Sequence, residues 1–524
     1  MSSISIAGLS WRTPDHQILF NNLNLIFGPF RTGLIGRNGT GKTTLLRLIN
    51  GEMSPTSGAI VKPRSVGFLR QNPDQRKDGI LADLFGATEQ LILLRRAERG
   101  EATSDDLARA DWTLTARLES ALAAVHLEVE LNASLASLSG GQRTRADLAA
   151  LIFAGHDALL LDEPTNHLDR AGRRHVIEAL QGWHGCAIVA SHDRTLLDQL
   201  DAIVELTSIG ANVYGGNYRA YRAVKDAELA SKEKKLARAE RAFSDVREEA
   251  RLAKERKART DRQGKQLRIS GSQSKLILDA AKERSQGSDS LAARLRNDRA
   301  EKAQAALETA RAAVEVLQPL TMEIPPTGLA STRDVLKVEG LHFAYPGEIP
   351  LIRNVSFSIR GPERIAIDGA NGTGKSTLLA CIQGRLTPQF GSISLNVSAA
   401  FIDQNLDFLD PHETIREAFA RLDPGSTENE RRATLARFSF RGNDQNQCIA
   451  SLSGGQRMRA GLACTMGRSC PPQLLLLDEP SNHLDIEAVE ALEAALRAYD
   501  GALIVISHDQ AFLKRTGVER WLVL

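Results

Sequence analysis

One set of short motifs occurs twice in this chain of 524 residues, at almost the same spacing each time. The first copy is a GxxxxGK[ST] segment at Gly36 to Thr43, then Gln71, Ser139-Gly140-Gly141-Gln142, the pair Asp162-Glu163 after an apolar run, and His192. The second is Gly369 to Ser376, Gln404, Ser453-Gly454-Gly455-Gln456, Asp478-Glu479 and His508. The lysine and the glutamine are 29 residues apart in both copies, and so are the Glu and the His. The Ser and the Glu are 24 and 26 apart. Five elements repeated in order require two copies of one domain. They also set its class, because a glycine-rich loop between an apolar strand and a helix belongs to a parallel α/β sheet.

Each residue type suits phosphate chemistry. Leu34-Ile35 reads as a strand and Leu45-Leu46-Ile49 as a helix, so the glycines lie at a strand-to-helix turn. A bare glycine-rich turn is the alternative, and that context argues against it. Gly36, Gly39 and Gly41 let the backbone curl so that successive N–H groups face phosphate oxygens, beside a positive helix N-terminus. The candidate nucleotide-binding segment is Gly36, Arg37, Asn38, Gly39, Thr40, Gly41, Lys42, Thr43 and Thr44. Its counterpart is Gly369, Ala370, Asn371, Gly372, Thr373, Gly374, Lys375, Ser376 and Thr377. The lysines suit the β- and γ-phosphates, and the hydroxyls of Thr43 and Ser376 suit Mg²⁺.

The all-apolar run Ala158 to Leu161 predicts a strand buried on both faces of a parallel sheet. Carboxylates at its C-terminal end lie where open α/β sheets bind ligands. Asp162 and Asp478 suit a Mg²⁺ water shell, and Glu163 and Glu479 suit a general base for an attacking water. His192 and His508 end further buried strands and can reach a γ-phosphate. Ser139 and Ser453 are placed as N-caps of glycine-rich helix starts, again anion sites. His167 and His483 read as supports of a turn rather than metal ligands.

Between the copies the composition changes. Residues 222–320 hold 24 Lys and Arg against 16 Asp and Glu, a net charge of +8 in a chain whose total is +2. Leu229, Leu236, Phe243 and Ala250 recur every seven residues, with Ala239, Val246 and Ala253 three further on. Ala300, Ala303, Leu307, Ala310, Val314 and Leu317 step by three and four. Both are heptad-like seams and predict an antiparallel helical hairpin. Its first arm, Lys225 to Lys265, would extend ~60 Å. Leu276-Ile277-Leu278 is a short apolar patch between turn signals. Arg251, Lys254, Arg256, Lys257, Arg259, Arg262, Lys265 and Arg268 cluster toward the tip. A solvated charged linker and an arm that meets an anionic partner are both open on charge alone. YGGNYRAYR, from Tyr214 to Arg222, closes the first domain and starts the hairpin, with RNA contact as the alternative. The expected domains are 1–221, 222–332 and 333–524.

No apolar run approaches the ~20 residues of a membrane span, and the N-terminus carries no secretory pattern. Five scattered cysteines without a CxxC pair argue against disulfides and structural zinc, and for a reducing cytoplasm. Each reads as a small buried hydrophobe. The tract from Gln71 to Ser139 is 68 residues against 49 in the second copy, room for a short additional arm at most.

Together these residues resemble the ATP-binding cassette ATPases. GRNGTGKT and GANGTGKS are similar to the Walker A motif, Gln71 and Gln404 to the Q-loop, LSGGQ to the signature, LLLDEP and LLLLDEP to Walker B, HLD to the D-loop and SHD to the switch histidine. Two cassettes, DEP[ST]NHLD and a charged helical linker resemble the ABC-F family of translation factors and ribosome-protection proteins. The fold this implies is two α/β P-loop domains joined by an antiparallel helical hairpin. The resemblance implies a cytoplasmic monomer whose cassettes pair within the chain and hydrolyse two ATP with Mg²⁺. Lys42, Asp162, Glu163 and His192 would face Ser453 and Gly455, and Lys375, Asp478, Glu479 and His508 would face Ser139 and Gly141. Gln71 and Gln404 would join the Mg²⁺ shells. Tyr345 (or Phe343) and Trp11 would stack on adenine, although Thr13 stands where Tyr345 aligns, and all three aromatics could instead be core. The hairpin, about 222–317, would contact rRNA and tRNA. A transporter ATPase with separate membrane subunits, or a DNA-associated ABC ATPase, is the alternative reading. The helical basic linker argues against the first, and the absence of zinc modules or a far longer coiled coil against the second.

Overall fold

Two parallel sheets follow from the apolar runs. In the computed structural model the described residues are 3–71, 78–166, 168–207, 210–270, 298–309, 324–347, 349–403, 406–438, 440–482 and 484–524. The strand Ala158–Asp162 is buried along its whole length and lies between Val66–Leu69 and Cys186–Ala190. Arg31–Ile35 and Ala202–Thr207 continue that sheet in parallel, and Gly210–Gly215 closes it antiparallel, six strands in all. The second half repeats the order with five parallel strands: Ala399–Ile402, Leu474–Asp478, Ala502–Ile506, Arg364–Asp368 and Arg520–Val523. Each half adds a three-stranded antiparallel sheet, centred on Ile4–Arg12 and on Asp334–Phe343. Leu34, Leu45, Leu46 and Ile49 are fully or almost fully buried, so the strand and helix that flank the first glycine-rich loop are held by the core.

The additional length of the first half goes into packed helices. Leu81–Leu84, Thr88–Glu98, Ser104–Arg109 and Leu114–Ala124 stand against Ile415–Leu422 and Glu428–Arg437 in the second half. Leu81 and Leu94 are buried in that core, and Leu84 and Leu91 are half-buried against it. Cys186, Cys381 and Cys464 are buried, but Cys470 is exposed in the turn after the helix Gly454–Met466 and Cys448 is half-buried. The expectation that every cysteine is a buried hydrophobe is corrected there. Tyr221 and Tyr214 both donate to Glu205, at 2.9 and 3.2 Å, and with Tyr218 they form an aromatic cluster at the end of the sheet.

By its contacts the chain divides into one unit of Met1–Tyr221 with Leu320–Leu524, and another of Arg222–Pro319. In the second unit the helix Tyr218–Ser270 continues for 53 residues in all, ~80 Å at the α-helical rise. Leu236, Ala239, Phe243, Val246 and Ala253 are less exposed than their neighbours, and so are Ala300, Ala303 and Leu307 in the helical residues 298–309. Those are the positions that step by three and four. Arg251, Arg259 and Arg262 are exposed. Leu276-Ile277-Leu278, Ala310, Val314, Leu317, His167, His483 and Gln404 lie outside the described residues, and so do the side chains of Leu229, Ala250, Lys254, Arg256, Lys257, Lys265 and Arg268.

Candidate active site

The two glycine-rich loops have nearly the same backbone. Gly36, Gly39 and Gly41 have φ of 150°, 86° and 95°, and Gly369, Gly372 and Gly374 have 156°, 84° and 95°. At Gly41 a side chain would be strained by its φ and would also press within 2.7 Å of Leu19 and Phe20. The helices Lys42–Asn50 and Lys375–Ile382 start at these loops. Lys42 Nζ donates to the carbonyls of Gly36 and Arg37 at 2.7 and 3.3 Å, and Lys375 Nζ to those of Gly369 and Ala370 at 2.8 and 2.9 Å. Both lysines are buried, and burial holds both below their usual range against the pull of nearby carboxylates.

Asp162 ends its strand 2% exposed and accepts from the Thr43 hydroxyl. Asp478 accepts likewise from Ser376. Burial raises the pKa of both aspartates, and those hydroxyls pull it back. The next residues, Glu163 and Glu479, have φ of 49° and 46°, a left-handed backbone that costs a non-glycine residue about 1–3 kcal/mol. Each is held there by its own N–H, which donates to Ala190 O at 2.8 Å or to Ile506 O at 2.9 Å. The turn aims the glutamates at the histidines. His192 Nε2 is 3.5 Å from Glu163 Oε1, and His508 Nε2 is 3.5 Å from Glu479 Oε1 and 3.3 Å from Asn371 Oδ1.

Burial sets the charge of these groups. It pushes Glu479 up to about 7 and raises Glu163 as well. It drives His508 down to about 4 and His192 well below its usual range. The glutamates and histidines are therefore driven toward their neutral forms, and the 3.5 Å contacts are not strong ion pairs. Among the described residues, Asp162 Oδ2 and both ring nitrogens of His192 at one site, and both carboxylate oxygens of Glu479 at the other, are buried without a hydrogen-bond partner. Native interiors rarely tolerate such groups, so each site points to a polar ligand.

The halves meet at these sites. Asn38 N donates to Asp485 Oδ2 at 3.0 Å, and Arg37 pairs with Glu487 at 2.6 Å. Asp485 also caps the helix Ile486–Ala498 by accepting from Ala488 N at 2.8 Å. Arg459, in the helix that Ser453 caps, is held below its usual range by burial and then by the charge of Arg37. At the other site the charge of Asp169 acts on Lys375 and His508. Each loop thus faces a segment of the opposite half. A buried pair, Arg194 with Glu493 at 2.5 Å, also crosses between the halves, and Arg515 joins Glu493 at 3.2 Å.

The remaining predicted residues fall as follows. Ser139 and Ser453 cap the helices Gly140–Ala154 and Gly454–Met466, each accepting from a glutamine N–H and donating its own N–H back to that glutamine's side chain. Gly455 is buried against Ala488, where a Cβ would come within 2.9 Å, and Gly141 is half-buried. Gln71 is exposed just past the strand Val66–Leu69. Phe343 is buried, whereas Tyr345 is 39% exposed with its hydroxyl 3.3 Å from Thr377 Oγ1. Trp11 is half-buried against the core beneath the first antiparallel sheet. Sequence reasoning did not find Arg173, Arg194, Glu487 or Glu493. The available signal was the unequal charge of the two helices that follow HLD, RAGRR in one and IEAVEALE in the other.

The family described as ABC transporter matches residues 20–166 and 352–482. The energy-dependent translational throttle protein EttA of Mycobacterium tuberculosis is 32% identical over 529 residues, covering 95% of this chain and 88% of that protein. The tylosin resistance ATP-binding protein TlrC of Streptomyces fradiae is 31% identical over 98% of this chain and 96% of its own. Among solved structures, the complex of archaeal ribosomal stalk protein aP1 with archaeal ribosome recycling factor aABCE1 superposes with a TM-score of 0.56 at 18% identity, covering 98% and 87%. The RNase-L inhibitor superposes with 0.55 at 18% identity, over the same shares. Two matched nucleotide-binding domains and relatives alike over almost their full length make this chain a tandem ATP-binding cassette ATPase of the ABC-F family.

Proposed function

We propose that the chain binds two ATP in a head-to-tail sandwich and uses their hydrolysis to set a basic helical hairpin on and off the ribosome. The contact of Asn38 with Asp485 carries this reading, because it brings the P-loop of one cassette to the D-loop of the other. Site one comprises the loop of Lys42 with Asp162, Glu163 and His192, completed by Ser453 and Gly455. Site two comprises the loop of Lys375 with Asp478, Glu479 and His508, completed by Ser139 and Gly141.

The residues fit a divalent cation. Asp162 has a buried oxygen without a partner among the described residues, beside the Thr43 hydroxyl, and Asp478 has Ser376. Thr43, Asp162 and Gln71 would hold Mg²⁺ at site one, and Ser376, Asp478 and Gln404 at site two. Mg²⁺ supplies charge neutralisation to the phosphates. Glu163 and Glu479 take the proton from the attacking water, and His192 and His508 orient the γ-phosphate. Trp11 and Tyr345 stack on the adenines.

The linker supplies the rest. On this reading residues 222–332 are the hairpin between cassettes 1–221 and 333–524, and the +8 charge of residues 222–320 suits rRNA and tRNA phosphates without reading sequence. One relative is named for throttling translation and another for tylosin resistance, and both names support a ribosomal site of action. No helix of the described residues is long and apolar enough to cross a membrane. We read the protein as a cytoplasmic monomer. In a sedimentation assay with ATP, Glu163→Gln with Glu479→Gln is expected to accumulate on ribosomes, because ATP stays bound and the sandwich stays shut. A double variant that fails to enrich over wild type would sink the ribosomal reading.

A further inference from the structure

The loops that carry His192 and His508 are held from the opposite cassette in different ways. Corresponding positions lie 316 residues apart from Glu163 and Glu479 through to His192 and His508. The helix Arg170–Gln181 therefore matches Ile486–Ala498 residue for residue.

In the first cassette the chain turns directly after His192. Asp193 N donates to the Ser191 hydroxyl at 3.1 Å, and Asp193 Oδ1 caps the short helix Arg194–Leu197 by accepting from Thr195 N and Leu196 N. Leu196 and Leu197 are fully buried, so the turn is anchored in its own core. The side chain of Arg194 goes the other way, into the second cassette. Its Nη1 donates to Glu493 Oε1 at 2.5 Å, and its Nη2 lies 3.8 Å from Glu490 Oε1. The side chains of Arg194 and Glu493 are each 6% exposed, and Arg515 donates to the other Glu493 oxygen at 3.2 Å. The same stretch of the second cassette meets the P-loop of the first, through Asp485 to Asn38 N and Glu487 to Arg37. Carboxylates from 485 to 493, ~12 Å along one helix, thus span the phosphate loop and the histidine loop of site one.

Site two cannot repeat this. Gln510 stands at the position of Arg194, and Arg174 and Ile177 stand at those of Glu490 and Glu493. Gln510 instead meets Arg170, at the start of the facing helix, with a guanidinium nitrogen 2.8 Å from the amide oxygen once the amide is turned toward it. Arg170 and Gln510 are both exposed.

We infer that Arg194 is a positioning residue of the first ATP site, held by Glu493 of the second cassette, and that the second site has no such lock. The inference rests on the two-site reading above. A buried ion pair is costly to break from one side, whereas an exposed amide contact exchanges readily for water. Arg194 lies two residues beyond His192, so its pairing fixes that loop against the opposite cassette only when the two are closed. Hydrolysis at site one is thereby tied to closure through a rigid contact, and hydrolysis at site two is not.

Steady-state ATP hydrolysis by the full-length chain tests it. Glu479→Gln leaves site one to turn over, and Glu163→Gln leaves site two. Arg194→Gln with Glu493→Ile gives site one the residues of the mirror positions. It removes both charges together, so no buried charge is stranded and the chain should fold. In the Glu479→Gln background this pair of changes is expected to lower kcat about tenfold with KM for ATP little changed. In the Glu163→Gln background it is expected to change kcat less than about twofold. Arg194→Lys, which keeps the charge without the planar fork, should retain part of the rate at site one. Equal losses in both backgrounds would mean that the pair only holds the cassettes together. That outcome, or no loss in the Glu479→Gln background, would overturn the inference and leave the two-site reading standing. A double Glu→Gln variant that still turned over would overturn the base assignment and this inference with it.

Discussion

At the face where the cassettes meet, the first contributes Arg37, Arg170 and Arg194, and the second contributes Asp485, Glu487, Glu490 and Glu493. Behind that face the halves are nearly superposable in their loops, their left-handed glutamates and their capped helices. Duplication has preserved the chemistry of each site and let the mating surfaces diverge. The divergence has a use. A first cassette facing another first cassette would set arginine against arginine, and like charges at an interface suppress wrong partners. The charge pattern thus favours pairing of a first cassette with a second over pairing of like cassettes. It also makes the two helices that follow HLD unlike, since Arg170 and Arg173 in one stand where Ile486 and Val489 stand in the other.

The largest effect should come from the two glutamates. Replacing both by glutamine should cut ATP hydrolysis by about 10²–10⁴-fold, the usual contribution of a general base, while nucleotide binding persists. Measured singly, Glu163→Gln and Glu479→Gln should leave unequal residual rates. Equal rates would erase the distinction between the sites.

The next effect tests the interface. Arg194 and Glu493 form a pair with side chains 6% exposed on both sides, and Glu490 lies 3.8 Å from the same guanidinium. Removing one member strands a buried charge, so Glu493→Ala should destabilise by about 3–5 kcal/mol. The corresponding positions on the other side are Ile177 and Gln510, and Gln510 contacts Arg170 through its amide. Gln510→Ala should cost about 0.5–1.5 kcal/mol, a single net hydrogen bond. Urea midpoints of the two variants would sharpen the contrast, and a Glu493→Ala midpoint close to wild type would break it.

A pH difference comes third. Burial raises Glu479 to about 7 from its ordinary value, so the folded state prefers the protonated form. The stability this gives is full below the ordinary carboxylate pKa, and it is lost as pH rises through about 7. Relative to Glu479→Gln, nucleotide-free wild type should lose up to about 3 kcal/mol between pH 4.5 and 7. Glu163 is raised as well, by burial and against the charge of Lys42, so Glu163→Gln should also gain on wild type at pH 8. Melting temperatures of both variants at pH 5 and pH 8 measure this. A Glu479→Gln advantage that did not grow with pH would contradict the burial of that carboxyl.

Much of this was legible in the sequence, for definite reasons. The P-loops, the all-apolar strands and the Asp-Glu pairs follow from motif spacing and from burial on both sheet faces. The heptad steps gave the less exposed positions of the helix Tyr218–Ser270. Leu84 and Leu91 came out half-buried where Leu81 and Leu94 are buried, because periodicity selects a face and not a depth. The left-handed turn at Glu163 and Glu479 had no signal, since glutamate does not favour that backbone and only the neighbouring strand holds it there. Arg194 was invisible for another reason. Its carboxylate partner lies in the opposite cassette, and only the assembled face pairs Arg194 with a glutamate 299 positions away.

The smallest effect is one in which the halves should agree. Ser139 and Ser453 make the same reciprocal cap, with serine-to-glutamine bonds of 3.0 and 3.2 Å in one half and 3.0 and 3.3 Å in the other. Both serines are exposed, so neither cap is reinforced by packing of the side chain. Ser139→Ala and Ser453→Ala should each cost about 1 kcal/mol of stability, and threonine should recover most of it. Catalysis should then cross over. In the proposed sandwich Ser453 would complete site one and Ser139 site two, so Ser453→Ala should weaken hydrolysis mainly in the Glu479→Gln background and Ser139→Ala mainly in the Glu163→Gln background. A loss confined to the serine's own cassette would mean that the caps only hold their helices, and that each site closes on its own half.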